Sequence, residues 1–224
     1  MKKTFLAGVM LSIVFSACKS EKKVEAQEAQ EVTQEVTATA VDYNADTEAT
    51  VIAWKGAHLG GIAPHNGTVK IKEGNITVEN DKIVGGKFII DFTTITNEDL
   101  ADDSGKQAKL MGHIKSAEIL NVEKFPEAAF EITSVETGEG DFNSKVIGNL
   151  TFLGVTKSIT FLANISIADG KIDLNSDRFI IDRTQWGLAY GSASDEELAK
   201  MDESAKSKLI SNDVEFQVNV IAKK

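Results

Sequence analysis

Apolar and polar residues alternate through most of the chain from Glu48 onward. Successive side chains of a β-strand point to opposite faces, so this alternation predicts strands that each bury one face. Short turns separate the alternating stretches, and the chain contains 2 prolines. Evenly spaced strands joined by tight turns are typical of an antiparallel sheet. The pattern therefore predicts an all-β fold, a closed or nearly closed antiparallel barrel.

The same pattern places individual strands and turns. Residues 50–56 predict a short strand, and residues 67–81 predict a hairpin that turns at residues 73–75. Gly85 and Gly86 lie inside the next alternating stretch. Glycines within a strand often mark a bulge or a bend, so we expect one there.

Two stretches interrupt the alternation. Residues 97–113 form a mostly polar segment, and residues 195–209 place apolar residues near helical spacing. Acidic residues lead the second segment and lysines follow, which suits the dipole of a helix. Both segments are predicted to be short helical insertions. Because they do not alternate regularly with strands, a parallel α/β sheet is not predicted.

Residues 1–17 have the pattern of a secretory signal peptide. Lys2 and Lys3 precede an apolar run over residues 5–15, and small residues follow. Cys18 is the single cysteine of the chain, and the sequence FSAC resembles the lipobox of bacterial lipoproteins. The resemblance implies cleavage before Cys18 and attachment of lipid to it. Secretion with an incidental thiol is the alternative.

Residues 18–40 carry many Glu, Gln, Lys and Ala residues and no aromatic residue. Such a composition buries little apolar surface, so it predicts a flexible or partly helical tether. Residues 41–224 are long enough for one domain with a sizeable core. The formal net charge of −10 argues against binding to nucleic acid, which needs clustered Lys and Arg. It also argues against docking on an anionic membrane through a basic patch.

Five stretches of the domain resemble the YceI-like family, in the family's order: WKGAHLGGIAPHNGTVKI, GGKFIIDFTTI, HIKSAEILNVEKFPEAAF, VIGNLTFLGVTKSITF and FIIDRTQWGL. The resemblance implies a lipocalin-like antiparallel barrel of about eight strands. It also implies a long isoprenoid chain held in the interior, and no catalytic activity common to the family. Ile119 and Leu120 stand where the family often has two aromatic residues. This difference leaves the identity of the ligand open.

The expected function is to sequester or transport a long-chain isoprenoid, of polyprenyl or quinone type, in the cell envelope. No enzymatic activity is expected, and no cofactor other than the bound lipid. Lys19 replaces the aspartate that signals inner-membrane retention in some bacteria, so we expect an outer-membrane lipoprotein facing the periplasm. A homodimer is a candidate assembly. The alternatives are an enzyme acting on an isoprenoid lipid, and a stress-related interaction module whose barrel is filled by its own side chains.

The predicted ligand-binding residues are aromatic or aliphatic residues of the strands together with residues expected near a barrel mouth: Trp54, His58, Phe88, Ile90, Phe92, Leu110, His113, Phe125, Phe130, Phe152, Phe161 and Trp186. One face of every barrel strand points inward, so an apolar stripe alone indicates only a core. His113 is expected at a helix end, where an imidazole binds either a polar head group or backbone carbonyls. Trp54 either lines the cavity or plugs the closed end.

Metal binding and nucleophilic catalysis have weaker support. The chain has 3 histidines, His58, His65 and His113, without the H-x-H or H-x-x-x-H spacing of many metal sites. There is no G-x-S-x-G motif. No metal site and no catalytic residue are therefore predicted.

Overall fold

The computed structural model describes residues 22–32 and 39–224. Twelve strands lie in these ranges: β1 (Lys22–Lys23), β2 (Gln27–Glu28), β3 (Val41–Ala45), β4 (Val51–His58), β5 (Ile62–Glu79), β6 (Lys82–Asp91), β7 (Glu127–Thr137), β8 (Ser144–Phe152), β9 (Val155–Ala168), β10 (Lys171–Ser176), β11 (Phe179–Asp182) and β12 (Asp213–Lys223). The helices are α1 (Ser104–Lys115), α2 (Asp195–Lys200) and α3 (Glu203–Lys206), with 3-10 turns at Leu59–Gly61, Phe92–Thr94 and Arg183–Trp186.

Eight of these strands form a closed antiparallel ring. Strands β4 to β10 pair consecutively along the chain, β10 pairs with β12, and β12 pairs back with β4. Closure gives every strand of the ring two neighbours in the ring, which limits the pairing of sheet edges with other chains. The predicted all-β barrel of about eight strands with few helices is confirmed.

The predicted hairpin at residues 73–75 is wrong. β5 continues through this stretch as one strand of 18 residues, with an irregularity between Ile71 and Glu73. Gly74 does not turn the chain. A Cβ atom there would lie 2.4 Å from Cδ1 of Phe88, so the glycine makes room for that ring. The chain turns later, at Asn80 and Asp81, which both have positive φ.

The expected bulge near Gly85 is confirmed. Gly85 pairs with Thr77 while Ile83 pairs with the next residue, Val78, so one residue of β6 is extra. Such a bulge bends the strand and increases its twist, which helps a sheet to close.

The helical insertions differ in detail from the sequence pattern. α1 begins at Ser104, capped by the carboxylate of Asp103, rather than near residue 97. The second region divides into α2 and α3 at Met201, which has extended backbone. A capping box of Ser194 and Glu197 begins α2. None of the described helices is long and apolar enough to cross a membrane.

The described part of the predicted tether lies against the barrel. β1 pairs with β11, and β2 pairs with β9, so residues 22–28 run along the outer wall. Composition gave no signal for this docking, because it depends on backbone pairing with distant strands. Residues 1–17 and Cys18 lie outside the described residues. The boundaries 1–17, 18–40 and 41–224 stay predictions.

Candidate functional site

A cavity of about 800 Å³ occupies the interior of the barrel. Its wall is formed mainly by inward-facing aliphatic and aromatic side chains, including Ile52 of β4, Ile71 of β5, Ile90 of β6, Val146 of β8 and Val218 of β12. The volume falls in the range typical of small-molecule sites. If each non-hydrogen atom of a ligand occupies roughly 30 Å³, the liquid volume of a water molecule, the cavity has room for about 27 such atoms.

Four phenylalanines form a row along one side of the cavity. Ring centroids are 5.8 Å apart between Phe130 and Phe161 and 4.8 Å apart between Phe161 and Phe179. The row ends at Phe216, 6.2 Å from Phe179. Gly148 leaves room for the ring of Phe130, because a Cβ atom at residue 148 would lie 2.4 Å from Cζ of Phe130. The row gives the cavity a rigid, polarisable wall.

The cavity does not extend through the whole barrel. Buried side chains fill the other end without lining the cavity; they are Tyr43, Ile76, Val78, Ile83, Ala163, Ile172 and Ala222. β3 pairs with β5 and with the end of β12 at this level. The inward stripes therefore form a packed core at one end and a cavity wall at the other.

The titratable side chains of the cavity lining gather at the opposite end, which we call the mouth. It includes His58 at the end of β4, His65 near the start of β5, His113 in the last turn of α1, and Tyr190 and Lys208 from the loop between β11 and β12. Backbone bonds hold that loop to the end of β4, where Leu59 N donates to Leu209 O and Ser211 N to Ala57 O. A ligand with an apolar chain and a polar head would find both environments here.

His113 lies at the mouth as predicted, and its ring has protein partners. Nε2 is 3.2 Å from a carboxylate oxygen of Glu118, and the ring meets Tyr190 edge to face at 5.3 Å. The backbone carbonyl of His113 accepts from Ser116 N, whereas the imidazole, within the part of the chain that the structure describes, contacts the Glu118 carboxylate and no carbonyl. The helix-end alternative therefore does not describe the side chain. Contact with a ligand stays a prediction.

The two other histidines of the mouth differ in their partners. His65 Nδ1 is 2.8 Å from Asp99 Oδ2. Burial opposes ionisation of Asp99, but hydrogen bonds from Asn66 N, His65 and Asn97 outweigh it and lower the pKa of the carboxyl. His58 Nδ1 is buried, and no hydrogen-bond partner lies among the described residues. It is therefore free to bind a polar atom of a ligand.

Trp54 lines the cavity and does not plug the filled end. Its indole N–H donates to the carbonyl of Thr96 at 3.2 Å, which satisfies the polar end of the ring. Phe88, Ile90, Phe92, Leu110, Phe152 and the residues already named from the predicted set also line the cavity. Phe92 and Phe152 pack with centroids 5.3 Å apart.

Phe125 and Trp186 are the predicted residues that do not line the cavity. Phe125 lies under the ammonium of Lys124, 5.0 Å from its ring centroid. Trp186 is 1% exposed and donates its indole N–H to Leu150 O at 3.0 Å, so it packs within the wall. Binding by either residue stays a prediction, although neither reaches the cavity in this conformation.

Arg183 stabilises the loop that borders the mouth. It is 4% exposed, although it lies beside the carboxyl of Asp182 in the sequence. Its guanidinium donates to the carbonyls of Ser211, Leu188 and Ile210 at 2.8, 2.6 and 3.1 Å. Burial lowers the pKa of this guanidinium from its ordinary value. The three bonds join two parts of the loop that carries Tyr190 and Lys208.

Sequence reasoning missed the aliphatic lining of β10 to β12 and the loop residues of the mouth. Leu174, Ile181 and Val220 lie on alternating stripes that the sequence did show, so this signal was available. Tyr190 and Lys208 lie in turns, and Lys208 follows the last turn of α3, so no alternation of strand residues marks either as lining the cavity. Within residues 22–32 and 39–224, no group of three or more His, Cys, Asp or Glu side chains is placed to hold a metal ion.

Comparison with known proteins agrees with this geometry. The chain is 36% identical over 143 residues to a UPF0312 protein of Pseudomonas putida, covering 63% of this chain and 70% of the relative. It is 35% identical over 130 residues to Protein YceI of Salmonella arizonae, covering 57% and 63%.

Two solved structures have a similar fold. BcnA of Burkholderia cenocepacia aligns with a TM-score of 0.58 at 14% identity, over 80% of this chain and 99% of that one. A polyisoprenoid binding domain from Saccharophagus degradans aligns with a TM-score of 0.54 at 14% identity, over 81% and 97%. The YceI-like domain matches residues 43–222. The chain therefore belongs to the YceI-like family.

Proposed function

We propose that this protein binds a long-chain isoprenoid lipid in its barrel and sequesters or transports it in the cell envelope. The observation that carries the proposal is the apolar cavity of about 800 Å³ with polar side chains at one end. The name of the Saccharophagus degradans domain, a polyisoprenoid binding domain, supports the same ligand class. Transfer of apolar surface from water into such a cavity gains about 25 cal/mol per Å².

The ligand would lie with its chain along the phenylalanine row and its head group at the mouth. The unpartnered Nδ1 of His58 and the ammonium of Lys208 suit a head group with oxygen acceptors, such as a quinone or a phosphate. At about 30 Å³ for each non-hydrogen atom, the cavity encloses about five isoprene units. A longer chain would extend beyond the mouth.

The cavity supports binding over the two alternatives. An interaction module with a filled barrel would have side chains where this barrel is hollow. An enzyme would need titratable groups deep in the cavity, whereas the histidines and lysine of the lining lie at the mouth. The role of the protein would therefore be binding, with no reaction of the lipid.

Cys18 would attach the protein to a membrane, as the lipobox resemblance suggests. The protein would then be a lipoprotein of the bacterial cell envelope, in the outer membrane and facing the periplasm. β1 begins 4 residues after Cys18. Four residues span at most about 14 Å, so the docked segment would hold the barrel close to the lipid surface.

The test is analysis of the organic extract of the full chain purified from its own host. We expect a stoichiometric lipid that fragments as an isoprenoid. Ile90→Asp places a carboxylate on the cavity wall and should abolish the lipid, while Ile89→Asp changes the neighbouring residue, which does not line the cavity. Circular dichroism would show that both variants are folded. A folded Ile90→Asp variant that keeps its lipid would overturn the proposal.

A further inference from the structure

The barrel wall contains a seam where two strands are not directly paired. On the side of β9, β10 reaches only residues 163–168, and β11 follows β10 after a break at Asp177 and Arg178. β11 pairs with β12 on one edge. The other edge of β11 faces residues 155–162 of β9. Among the described strands, no ladder of backbone hydrogen bonds joins β11 to this part of β9. We call this gap the seam.

Residues 22–32, which we call the strap, close the seam from outside. In β1, Lys22 and Lys23 pair in parallel with Phe179 and Ile180 of β11, and Val24 N donates to Ile180 O at 2.7 Å. In β2, residues 27–28 pair with Ser158 and Lys157 of β9. One short segment therefore satisfies backbone groups on both sides of the gap.

Further contacts of the strap are part-buried hydrogen bonds of its backbone and exposed ion pairs of its side chains. Gln30 and Asn149 exchange two hydrogen bonds, from Gln30 N to Oδ1 at 2.9 Å and from Asn149 Nδ2 to Gln30 O at 2.7 Å. Lys22 pairs with Glu139, and Lys157 lies 2.6 Å from Glu28. Exposed ion pairs contribute little, and each strand of the strap has two residues. The strap is thus held less firmly than the ring strands.

The seam lies beside the ligand cavity. A second cavity of about 230 Å³ lies beneath the strap and is lined by Val24, Glu25 and Asp177 among others. Phe161 and Phe179 line this space and the main cavity, and their rings stack at 4.8 Å. Two phenylalanine rings therefore stand between the strap and the main cavity.

We propose that the strap is a detachable strand that closes a side opening into the cavity. Its release would leave the seam unpaired, and movement of Phe161 or Phe179 would then admit an apolar chain sideways. This inference rests on the proposed lipid binding. A side opening suits a long chain, which otherwise has to pass lengthwise through the mouth. The strap lies outside the YceI-like domain, so this device is a feature of the chain's own N-terminal segment.

A disulfide across the seam tests the proposal. Glu28 and Lys157 are directly opposed in an antiparallel pair, where Cα atoms lie about 4.5–5.5 Å apart and a disulfide is permitted. Glu28→Cys and Lys157→Cys would be introduced into the full chain carrying Cys18→Ser. The measurement is the rate at which bound geranylgeraniol moves to phosphatidylcholine vesicles. We expect oxidation to slow transfer at least about tenfold, the effect of 1.4 kcal/mol on the opening, and reduction to restore it.

The matched control joins two strands that are already paired. Glu136 and Lys145 also form a directly opposed acid–lysine pair, between β7 and β8, with an ion pair of 2.5 Å. Their cysteine pair should form a disulfide without changing the transfer rate. Deletion of residues 22–32 should accelerate transfer.

Two results would overturn the strap proposal alone. One is equal transfer in the oxidised and reduced seam variant, which would show that the chain passes through the mouth. The other is hydrogen exchange of the Val24 and Gln30 amides as slow as that of the ring strands. Failure of the reduced protein to bind geranylgeraniol would instead count against the proposed lipid binding, and the side opening would fall with it.

Discussion

The size of the cavity predicts how binding depends on the length of the lipid. Ala128 of β7 is 4% exposed and lines the cavity, and it pairs with Ile90 of the adjacent strand β6. Ala128→Leu adds three carbons to the wall and removes room for about three carbons of ligand. At about 0.8 kcal/mol for each buried methylene, the loss is about 2.4 kcal/mol, or about 50-fold in Kd.

This loss applies only to a ligand that fills the cavity. Solanesol is a polyprenyl alcohol with more atoms than the roughly 27 that the cavity holds, so it should bind about 50-fold more weakly to the variant. Farnesol is shorter and leaves space unused, so its Kd should change little. Tryptophan fluorescence or competition with a fluorescent lipid would give both values.

Ala129→Leu is the matched control, because Ala129 is the next residue of the same strand and does not line the cavity. It should change neither Kd. An equal loss of affinity for farnesol and solanesol in Ala128→Leu would refute the volume argument. It would indicate a general distortion of the barrel instead. Unchanged binding of solanesol would show that the chain does not reach β7.

Two further predictions concern Asp177 and Cys18. Burial raises the pKa of the Asp177 carboxyl, and its Oδ1 has no hydrogen-bond partner among the described residues. The folded state therefore holds this proton more tightly than the unfolded state, and stability falls as pH rises through the folded pKa. Asp177→Asn should raise Tm at pH 7, with the gain disappearing as pH falls to about 3.9; an equal gain at both pH values would contradict this assignment. Cys18→Ser should move the protein from the detergent phase to the aqueous phase of a Triton X-114 extract, and unchanged partitioning would exclude lipid at Cys18.

The ring of strands was predictable because the period of two fixes which side chains share a face. Phe88, Ile90 and Phe92 were assigned to one face from the sequence, and all three line the cavity. The prediction of a hairpin turn at residues 73–75 was wrong, because a glycine occurs both in turns and in strands that pass close to a bulky side chain. Gly74 resembles a turn signal, yet it is a strand residue that accommodates the ring of Phe88. Sequence spacing does not separate these roles, since the neighbour that requires the glycine comes from another strand.

The mouth and the strap were hidden from sequence reasoning for a related reason. Nothing in the local sequence around Arg183 indicates that it is buried, because its partners are carbonyls of the distant residues 210 and 211. The strap has the composition of a tether and few apolar side chains. Backbone pairing with β9 and β11 places it, and such pairing requires no particular side chains. Both features depend on contacts between residues that are far apart in the sequence.

The difference between the filled and hollow ends of the barrel is the feature that function depends on most. Inward stripes are apolar at both ends, so alternation alone predicts a core along the whole barrel. At the filled end β3 pairs with β5 and with the end of β12, and Tyr43 and its cross-strand neighbour Ile76 are buried in the core. At the hollow end, α1 and the loop that carries Tyr190 border the opening, and they contribute polar side chains to the lining. A barrel whose inward stripes are continuous thus becomes a binding site because buried side chains fill one end, while a helix and a loop border the other.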